Sequence, residues 1–207
     1  MISSNITDII ISPDKKGYVD VYADGELLIS ISEDAYIQSG IRIGDTVDEK
    51  KLTELEYTVC LTKAKAKAYD YLSYGDMSAK TLCTKLVRYG ISQHVASDVV
   101  CALEKEGYID DARYALSYAN YLAVSKLYGI RRIKKELFIK GIDKTLADEV
   151  ICQLDVDFYE NLRILVSKKG AVHGRKEASK LIAHLVRYGY EYEDIKSIVS
   201  DLEDQYE

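Results

Sequence analysis

The sequence predicts a mostly α-helical protein in which a small N-terminal β-module precedes three tandem three-helix repeats. The first observation is a pentapeptide, Leu-Val-Arg-Tyr-Gly, at 86–90 and again at 185–189, with a diverged copy at 137–141. The second is the spacing of the glycines that end these copies, about 50 residues, which is typical of stacked supersecondary units. The third is the β-branched and aromatic character of the N-terminal segment. We expect the repeats to stack into an elongated, curved helical rod.

The β-module is predicted to be antiparallel and to occupy residues 1–47. Runs rich in β-branched and aromatic residues at 6–11, 18–22 and 27–31 predict three short strands. Asp24-Gly25 separates the last two runs and is a strong hairpin signal, because both central residues of the turn need positive φ. A sheet this small is marginal by itself. We therefore expect it to rest on a helix that begins near Asp48.

Each repeat glycine is predicted to end the second helix of its repeat. Apolar residues four and eight positions before each glycine lie on one helix face, and Gly90, Gly141 and Gly189 stand where a helix C-terminus favours positive φ. Ser92 and Asp143 are candidate N-caps of the third helices. The first helices are predicted at about 62–74, 110–122 and 155–167. The resulting boundaries are 48–111 for a linker helix with repeat 1, 112–156 for repeat 2 and 157–207 for repeat 3.

The net charge of −6 conceals two basic segments in the helical part. Bases greatly outnumber acids in 126–144 and in 163–187, whereas the first sixty residues are acidic. Basic segments at equivalent places in successive repeats predict a stripe that faces phosphates or an acidic protein groove, and ordinary solvated helix faces are the alternative. Bases at 63, 65 and 67 are expected only to solvate their helix. The predicted stripe comprises Lys126, Arg131, Arg132, Lys134, Lys135, Lys140, Lys168, Lys169, Arg175, Lys176 and Arg187.

The central segment of the chain resembles the RecX regulatory proteins. The resemblance is carried by a Gly-Tyr-Ile-Asp-Asp motif and by the helix that follows it, and it covers about residues 60–205. The strands also resemble the N-terminal extension of longer family members. The chain departs from the family at Thr81, where an acidic residue is frequent, and repeat 3 lacks a second copy of the motif. The residues that carry the resemblance are Gly107, Tyr108, Ile109, Asp110, Asp111, Tyr114, Gly129, Ile133, Leu137 and Gly141.

The resemblance implies a non-enzymatic regulator of the RecA recombinase. Family members bind the RecA–single-stranded DNA filament in its helical groove and inhibit ATP hydrolysis and strand exchange, which modulates DNA repair and the SOS response. A repeat rod with a basic stripe is compatible with a long groove beside a polyanion. Contact with single-stranded DNA is then expected through the filament. Direct DNA binding by tandem helix-turn-helix-like units is the alternative.

No catalytic, cofactor or metal site is predicted. The basic segment 168–176 lacks the spacing of a phosphate-binding loop and is interpreted as a connection within repeat 3, with phosphate contact as the alternative. The histidines lack a metal-ligand pattern, and helix capping explains Asp110 and Asp111 better than acid–base catalysis does. The four scattered cysteines predict buried free thiols. Without a long apolar run or a signal-peptide pattern, we expect a cytoplasmic monomer that does not associate with membranes.

Overall fold

A computed structural model describes residues 4–168 and 175–203 and, within the second range, the side chains of 177–199. These residues form four strands and ten helices, and the predicted fold class is confirmed. Two compact units are present, one of 1–75 with 82–108 and the other of 76–81 with 109–207. The elements are β1 Ser4–Ile11, β2 Tyr18–Ala23, β3 Glu26–Ser32, α1 Glu33–Ser39, β4 Thr46–Val47, α2 Glu49–Ser73, α3 Ala79–Arg88, α4 Gln93–Lys105, α5 Asp111–Val124, α6 Ile130–Ile139, α7 Lys144–Gln153, α8 Phe158–Ser167, α9 Arg175–Tyr188 and α10 Tyr192–Glu203.

The N-terminal sheet is antiparallel, with strand order β3-β2-β1-β4. Asp24 and Gly25 both have positive φ, 51° and 86°, so the predicted hairpin turn is confirmed. Strand β4 and helix α1 were not predicted. β4 is only two residues long and therefore too short to show a period, and α1 directly follows β3, where Ser32 Oγ accepts a hydrogen bond from the amide of Ala35 at 3.3 Å.

The β-module packs against the first half of α2. Ile6, Val21 and Ile31 from the strands lie in one buried cluster with Leu55 of α2, as expected for a sheet that needs a helix to cover it. Helix α2 runs without a break for 25 residues, so the prediction of a linker helix followed by a separate helix at 62–74 was wrong. The segment contains neither glycine nor proline, and nothing in it can end a helix.

The three repeat glycines end their helices in the same way. Gly90, Gly141 and Gly189 have φ values between 92° and 102°, which confirms the predicted left-handed caps. After each glycine, the next amide donates to the carbonyl of the leucine five residues earlier, at 3.1–3.3 Å. These three leucines are fully buried. The predicted N-caps are also confirmed, because Ser92 and Asp143 accept hydrogen bonds from the amides three residues later.

Repeat 2 has a continuous apolar core that positions α5 and α6. Ile133 and Leu137 of α6 are fully buried among the alanines of α5. Asp110 caps α5, since its Oδ1 accepts from the amide of Arg113 at 2.9 Å, as predicted. The neighbouring carboxylate has a second role that the sequence did not indicate: Asp111 Oδ1 accepts from the backbone amide at the start of α3, at 2.8 Å.

Two contacts within the second unit share an arrangement that we call the repeat joint. We call the C-terminal end of a repeat's second helix, together with the glycine that follows it, the corner of that repeat. In a repeat joint, the corner of one repeat contacts the N-terminus of the second helix of the preceding repeat. At the corner of α9, the carbonyls of Tyr188 and Gly189 accept from the amides of Gly129 and Arg131, at 2.8 and 3.2 Å. At the corner of α6, the carbonyl of Lys140 accepts from a serine hydroxyl at the start of α3, at 2.5 Å. The same corner geometry therefore serves two joints.

Candidate interaction surface

Helix α6 carries four of the predicted stripe residues within two turns. Its N-cap, Gly129, has no side chain to satisfy the first amides, and the repeat joint satisfies them instead. The negative end of α9 thereby meets the positive end of α6, which is the favourable orientation of two helix dipoles. The start of α6 is therefore fixed by backbone hydrogen bonds. The four bases that follow are Arg131, Arg132, Lys134 and Lys135.

Three of these four bases have an acidic partner. Arg132 Nη2 lies 2.7 Å from Glu136 Oε1 on α6 itself. The other two partners come from other helices: Arg131 pairs with Glu191, and Lys134 Nζ lies 2.6 Å from Asp148 Oδ1. Two of these three partners, Glu191 and Asp148, were not indicated by the sequence. Packing brings in carboxylates that lie outside the segment in the sequence.

The pairs differ in how firmly their bases are held. The Arg131 side chain is 66% exposed and the Lys134 side chain 42%, and ion pairs this exposed contribute little because water and salt screen them. The hydrogen bond from Lys134 lowers the pKa of the Asp148 carboxyl. Arg132 is more enclosed, and its guanidinium carbon lies 5.3 Å from the centre of the Tyr128 ring. Arg132 therefore has a packing role, whereas Arg131 and Lys134 can exchange their partners.

The remaining stripe residues of repeat 2 are lysines at its surface. Lys135 is exposed, and no carboxylate in the described part of the chain lies within ion-pair distance of it. The ammonium nitrogens of Lys126 and Lys140 lie 5.5 Å from the Tyr121 ring centre and 5.6 Å from the Tyr118 ring centre. A hydrogen bond with Tyr121 raises the pKa of Lys126. Both lysines thus hold their charge above aromatic rings.

A row of three tyrosines on α5 was not predicted. The ring centres of Tyr114 and Tyr118 are 5.7 Å apart with an interplanar angle of 18°, and Tyr118 and Tyr121 are 6.5 Å apart at 19°. The first two rings pack against the core of repeat 2, and Tyr121 is 46% exposed. The spacing i, i+4, i+7 on a predicted helix was the signal that could have found this row. We call it the α5 tyrosine row.

The repeat 3 part of the stripe is described only in part. Lys168 follows α8 directly and is exposed, and Arg187 is exposed on α9. Lys169 lies outside the described residues, as do the side chains of Arg175 and Lys176 at the start of α9. A continuous stripe across repeats 2 and 3 therefore stays a prediction, and so do the predicted repeat boundaries.

The three lysines near the middle of α2 make specific contacts, so the expectation that they only solvate the helix is wrong. Lys65 Nζ lies 2.7 Å from Oε1 of Glu106, the residue after α4, and this hydrogen bond lowers the pKa of Glu106. The ammonium nitrogens of Lys63 and Lys67 lie 5.9 and 5.2 Å from the centre of the Tyr89 ring. These two lysines are four positions apart in the sequence, which places them on one face of α2.

The other candidate groups occupy the surface. All four cysteines are free, and Cys60 is exposed. Among the three in predicted helices, Cys101 and Cys152 are exposed and Cys83 is half-buried, so the prediction of buried thiols was wrong. Within 4–168 and 175–203, no cluster of three His, Cys, Asp or Glu side chains could hold a metal ion. No helix in these ranges is long and apolar enough to cross a membrane. His173 lies outside the described residues.

Comparison with known proteins gives a consistent result. A family model described as RecX, second three-helix domain, matches residues 110–151. The regulatory protein RecX of Bacillus licheniformis is 25% identical over 201 residues, which are 95% of this chain and 76% of the relative. That of Clostridioides difficile is 27% identical over 189 residues, 89% of each chain. The crystal structure of a regulatory protein RecX is similar to this chain with a TM-score of 0.75 and 24% sequence identity, and the similarity covers 95% of this chain and 99% of that one. The crystal structure of RecX from Lactobacillus salivarius has a TM-score of 0.58 and 26% sequence identity, covering 70% of this chain and 97% of that one.

Proposed function

We propose, because this chain belongs to the RecX family of regulatory proteins, that it binds the RecA–single-stranded DNA filament in the helical groove and inhibits the ATPase and strand-exchange activities of RecA. In this proposal the protein is a cytoplasmic, non-enzymatic regulator that acts on DNA repair and the SOS response. The observation that carries the proposal is that the segment matched by the RecX family model, 110–151, is also the segment that presents the bases of α6.

The electrostatics of α6 supports binding to an acidic groove or to phosphates. Arg131 and Lys134 hold their acidic partners at exposed positions, and Lys135 has none among the described residues. Exchanging a weak surface pair for a charge-assisted hydrogen bond to a partner costs little, because the lost pair was already screened by water. The backbone bonds of the repeat joint hold the start of this helix in place, so the bases are pre-positioned.

The test is a titration of the DNA-dependent ATPase of RecA with the wild-type chain and with a double charge reversal, Arg131→Glu with Lys135→Glu. We expect the double variant to inhibit less, by about 1–3 kcal/mol in binding free energy, or roughly 5- to 150-fold in the midpoint concentration. The difference should shrink at high salt.

A matched control for this titration is Lys50→Glu with Lys105→Glu. Both control lysines are exposed, and the net charge changes by the same amount. If the two double variants inhibit equally, while keeping wild-type helicity and melting, the α6 bases are only a solvated face. If the wild-type chain leaves the RecA ATPase unchanged at saturating concentration, the proposed function itself is refuted.

The α5 tyrosine row favours a second candidate, direct binding of single-stranded DNA. Proteins that bind single strands combine aromatic rings, on which bases stack, with a positively charged groove. Tyr118 and Tyr121 lie beside Lys140 and Lys126 in this arrangement. Binding to naked single- and double-stranded DNA across a salt series discriminates the candidates. Tight binding with a steep salt slope, unaffected by RecA, would favour direct DNA binding.

A further inference from the structure

The three repeat corners have the same backbone geometry but different surroundings. Gly189 is buried and Gly141 is half-buried, whereas Gly90 is exposed. A Cβ atom at Gly141 would lie 2.5 Å from Lys80 Cβ, and one at Gly189 would collide with the backbone nitrogen of Arg132. A Cβ atom at Gly90 would meet nothing within 4 Å. The corner of repeat 1 is therefore open where the other two are filled.

What fills the two other corners is the N-terminal turn of a helix. α3 fills the corner of repeat 2 and α6 fills the corner of repeat 3, each starting with a small residue, Ser78 or Gly129. The first amides of a helix have no partner inside the helix, and neither have its last carbonyls. Where α9 meets α6, the amides and carbonyls of the two ends bond to each other. Where α6 meets α3, the Ser78 hydroxyl donates to the Lys140 carbonyl, and the first amide of α3 donates to Asp111 instead. At the open corner, the carbonyls of Tyr89 and Gly90 accept no hydrogen bond from any residue of the described ranges.

The open corner also has a ring and two cations that suit an acidic helix start. The Tyr89 side chain is 50% exposed and forms part of the wall of a cavity of about 420 Å³, which Tyr18 of the β-module also lines. Lys63 and Lys67 line the same cavity near the Tyr89 ring, and the carboxylates of Asp34 and Asp70 also line it. Lys67 pairs with Asp70 at the surface, and Lys63 has no acidic partner in the part of the chain that is described.

We propose that this open corner, formed by Tyr89 and Gly90 with Lys63 and Lys67, binds the N-terminal turn of a helix of the partner protein, as the internal repeat joints bind α3 and α6. The inference rests on the proposed function, in which that partner is the RecA filament. The occupant begins with a small residue, because a Cβ atom at Gly129 would lie 2.5 Å from the Gly189 carbonyl oxygen in the equivalent joint. Acidic residues in its first turn would meet the two lysines and favour its own helix dipole.

The decisive variant is Gly90→Ala, and Gly107→Ala is its matched control. Both glycines follow a helix with positive φ, 102° and 78°, and both have open space where the methyl group would go. The two substitutions therefore carry the same kind of backbone strain, but only the first places a methyl group where the helix would dock. A second variant, Lys63→Glu with Lys67→Glu, removes the attraction for an acidic helix start without touching a glycine.

The measurement is the binding of each full-length variant to RecA filaments on labelled single-stranded DNA, followed by fluorescence anisotropy. We expect Gly90→Ala to bind at least tenfold more weakly than Gly107→Ala, and the lysine variant to be weaker by a factor that falls as salt rises. Wild-type binding with equal affinities for the two alanine variants overturns the inference and leaves the proposed function standing. No wild-type binding overturns both. Concentration-dependent dimers in sedimentation that Gly90→Ala abolishes would assign the corner to a second copy of this chain and overturn the RecA assignment.

Discussion

The repeat joint can be measured by replacing the same glycine in two copies of the same pentapeptide. Gly90 and Gly189 both end a Leu-Val-Arg-Tyr-Gly segment, with φ values of 102° and 97°. Alanine at either position must adopt the left-handed conformation, which costs roughly 1–2 kcal/mol. Only at Gly189 does the new methyl group also meet the backbone of Arg132. The difference in unfolding free energy between the two variants therefore measures the contribution of the joint, because the backbone strain is common to both.

The extra cost at Gly189 follows from the bonds that the joint would lose. The amides of Gly129 and Arg131 donate to the carbonyls of the α9 corner, and each such bond contributes about 0.5–1.5 kcal/mol. Gly189→Ala should therefore destabilise the chain by about 1–3 kcal/mol more than Gly90→Ala. Urea unfolding followed by circular dichroism gives the two free energies. Hydrogen exchange gives a local readout, because the Gly129 and Arg131 amides should lose protection in Gly189→Ala alone.

Equal free energies of unfolding for the two variants, with unchanged exchange at Gly129, would refute this reasoning. That outcome would mean that the close approach of α6 and α9 adds nothing to stability. A larger loss of stability in Gly90→Ala than in Gly189→Ala would contradict the reasoning more strongly, because nothing in the described structure lies within 4 Å of a Cβ atom at Gly90.

The remaining predictions concern the core, the alkaline range and the β-module. Leu137→Ala should lower the free energy of unfolding in urea by about 2–5 kcal/mol, because the Leu137 side chain is fully buried. Phe138→Ala should lower it far less, because Phe138 is 70% exposed, and similar losses in the two variants would contradict the core assignment. Burial raises the pKa of Tyr190, so above about pH 10 the folded state keeps the hydroxyl proton that the unfolded state loses. The free energy of unfolding should therefore fall more steeply above this pH than in Tyr190→Phe, and parallel pH profiles of the two proteins would exclude this. Removing residues 1–47 exposes Leu55, so the truncated protein should melt at a lower temperature but keep much of the RecA inhibition. A truncated protein that folds but does not bind RecA filaments would show that the β-module is required for binding.

Local signals made the secondary structure predictable. Asp24-Gly25 forms the predicted turn because few other dipeptides adopt positive φ at both positions. Asp110 and Asp143 cap helices as predicted, since an N-cap needs only a short acceptor side chain three residues before a free amide. The continuous helix α2 was missed because the helix that supports the sheet and the first helix of repeat 1 were predicted separately, although no breaker residue lies between them.

The candidate surface was predicted less completely than the fold. The bases of α6 were identified from the sequence, and their exposure agrees with a surface role. Their acidic partners were not identified, because Asp148 and Glu191 reach α6 only through the packing of α7 and of the segment before α10. The α5 tyrosine row was not predicted, although its helical spacing is present in the sequence.

The sequence by itself determined most of the helices and their caps, because each depends on residues within about one turn of one another. Tertiary structure decided which of three similar corners is filled. Gly90 and Gly189 stand in identical pentapeptides with nearly the same backbone conformation, yet one is exposed and the other lies against Arg132. The difference arises because the atoms that fill a corner belong to a helix about sixty residues earlier in the chain, and in repeat 1 no described helix N-terminus takes that place.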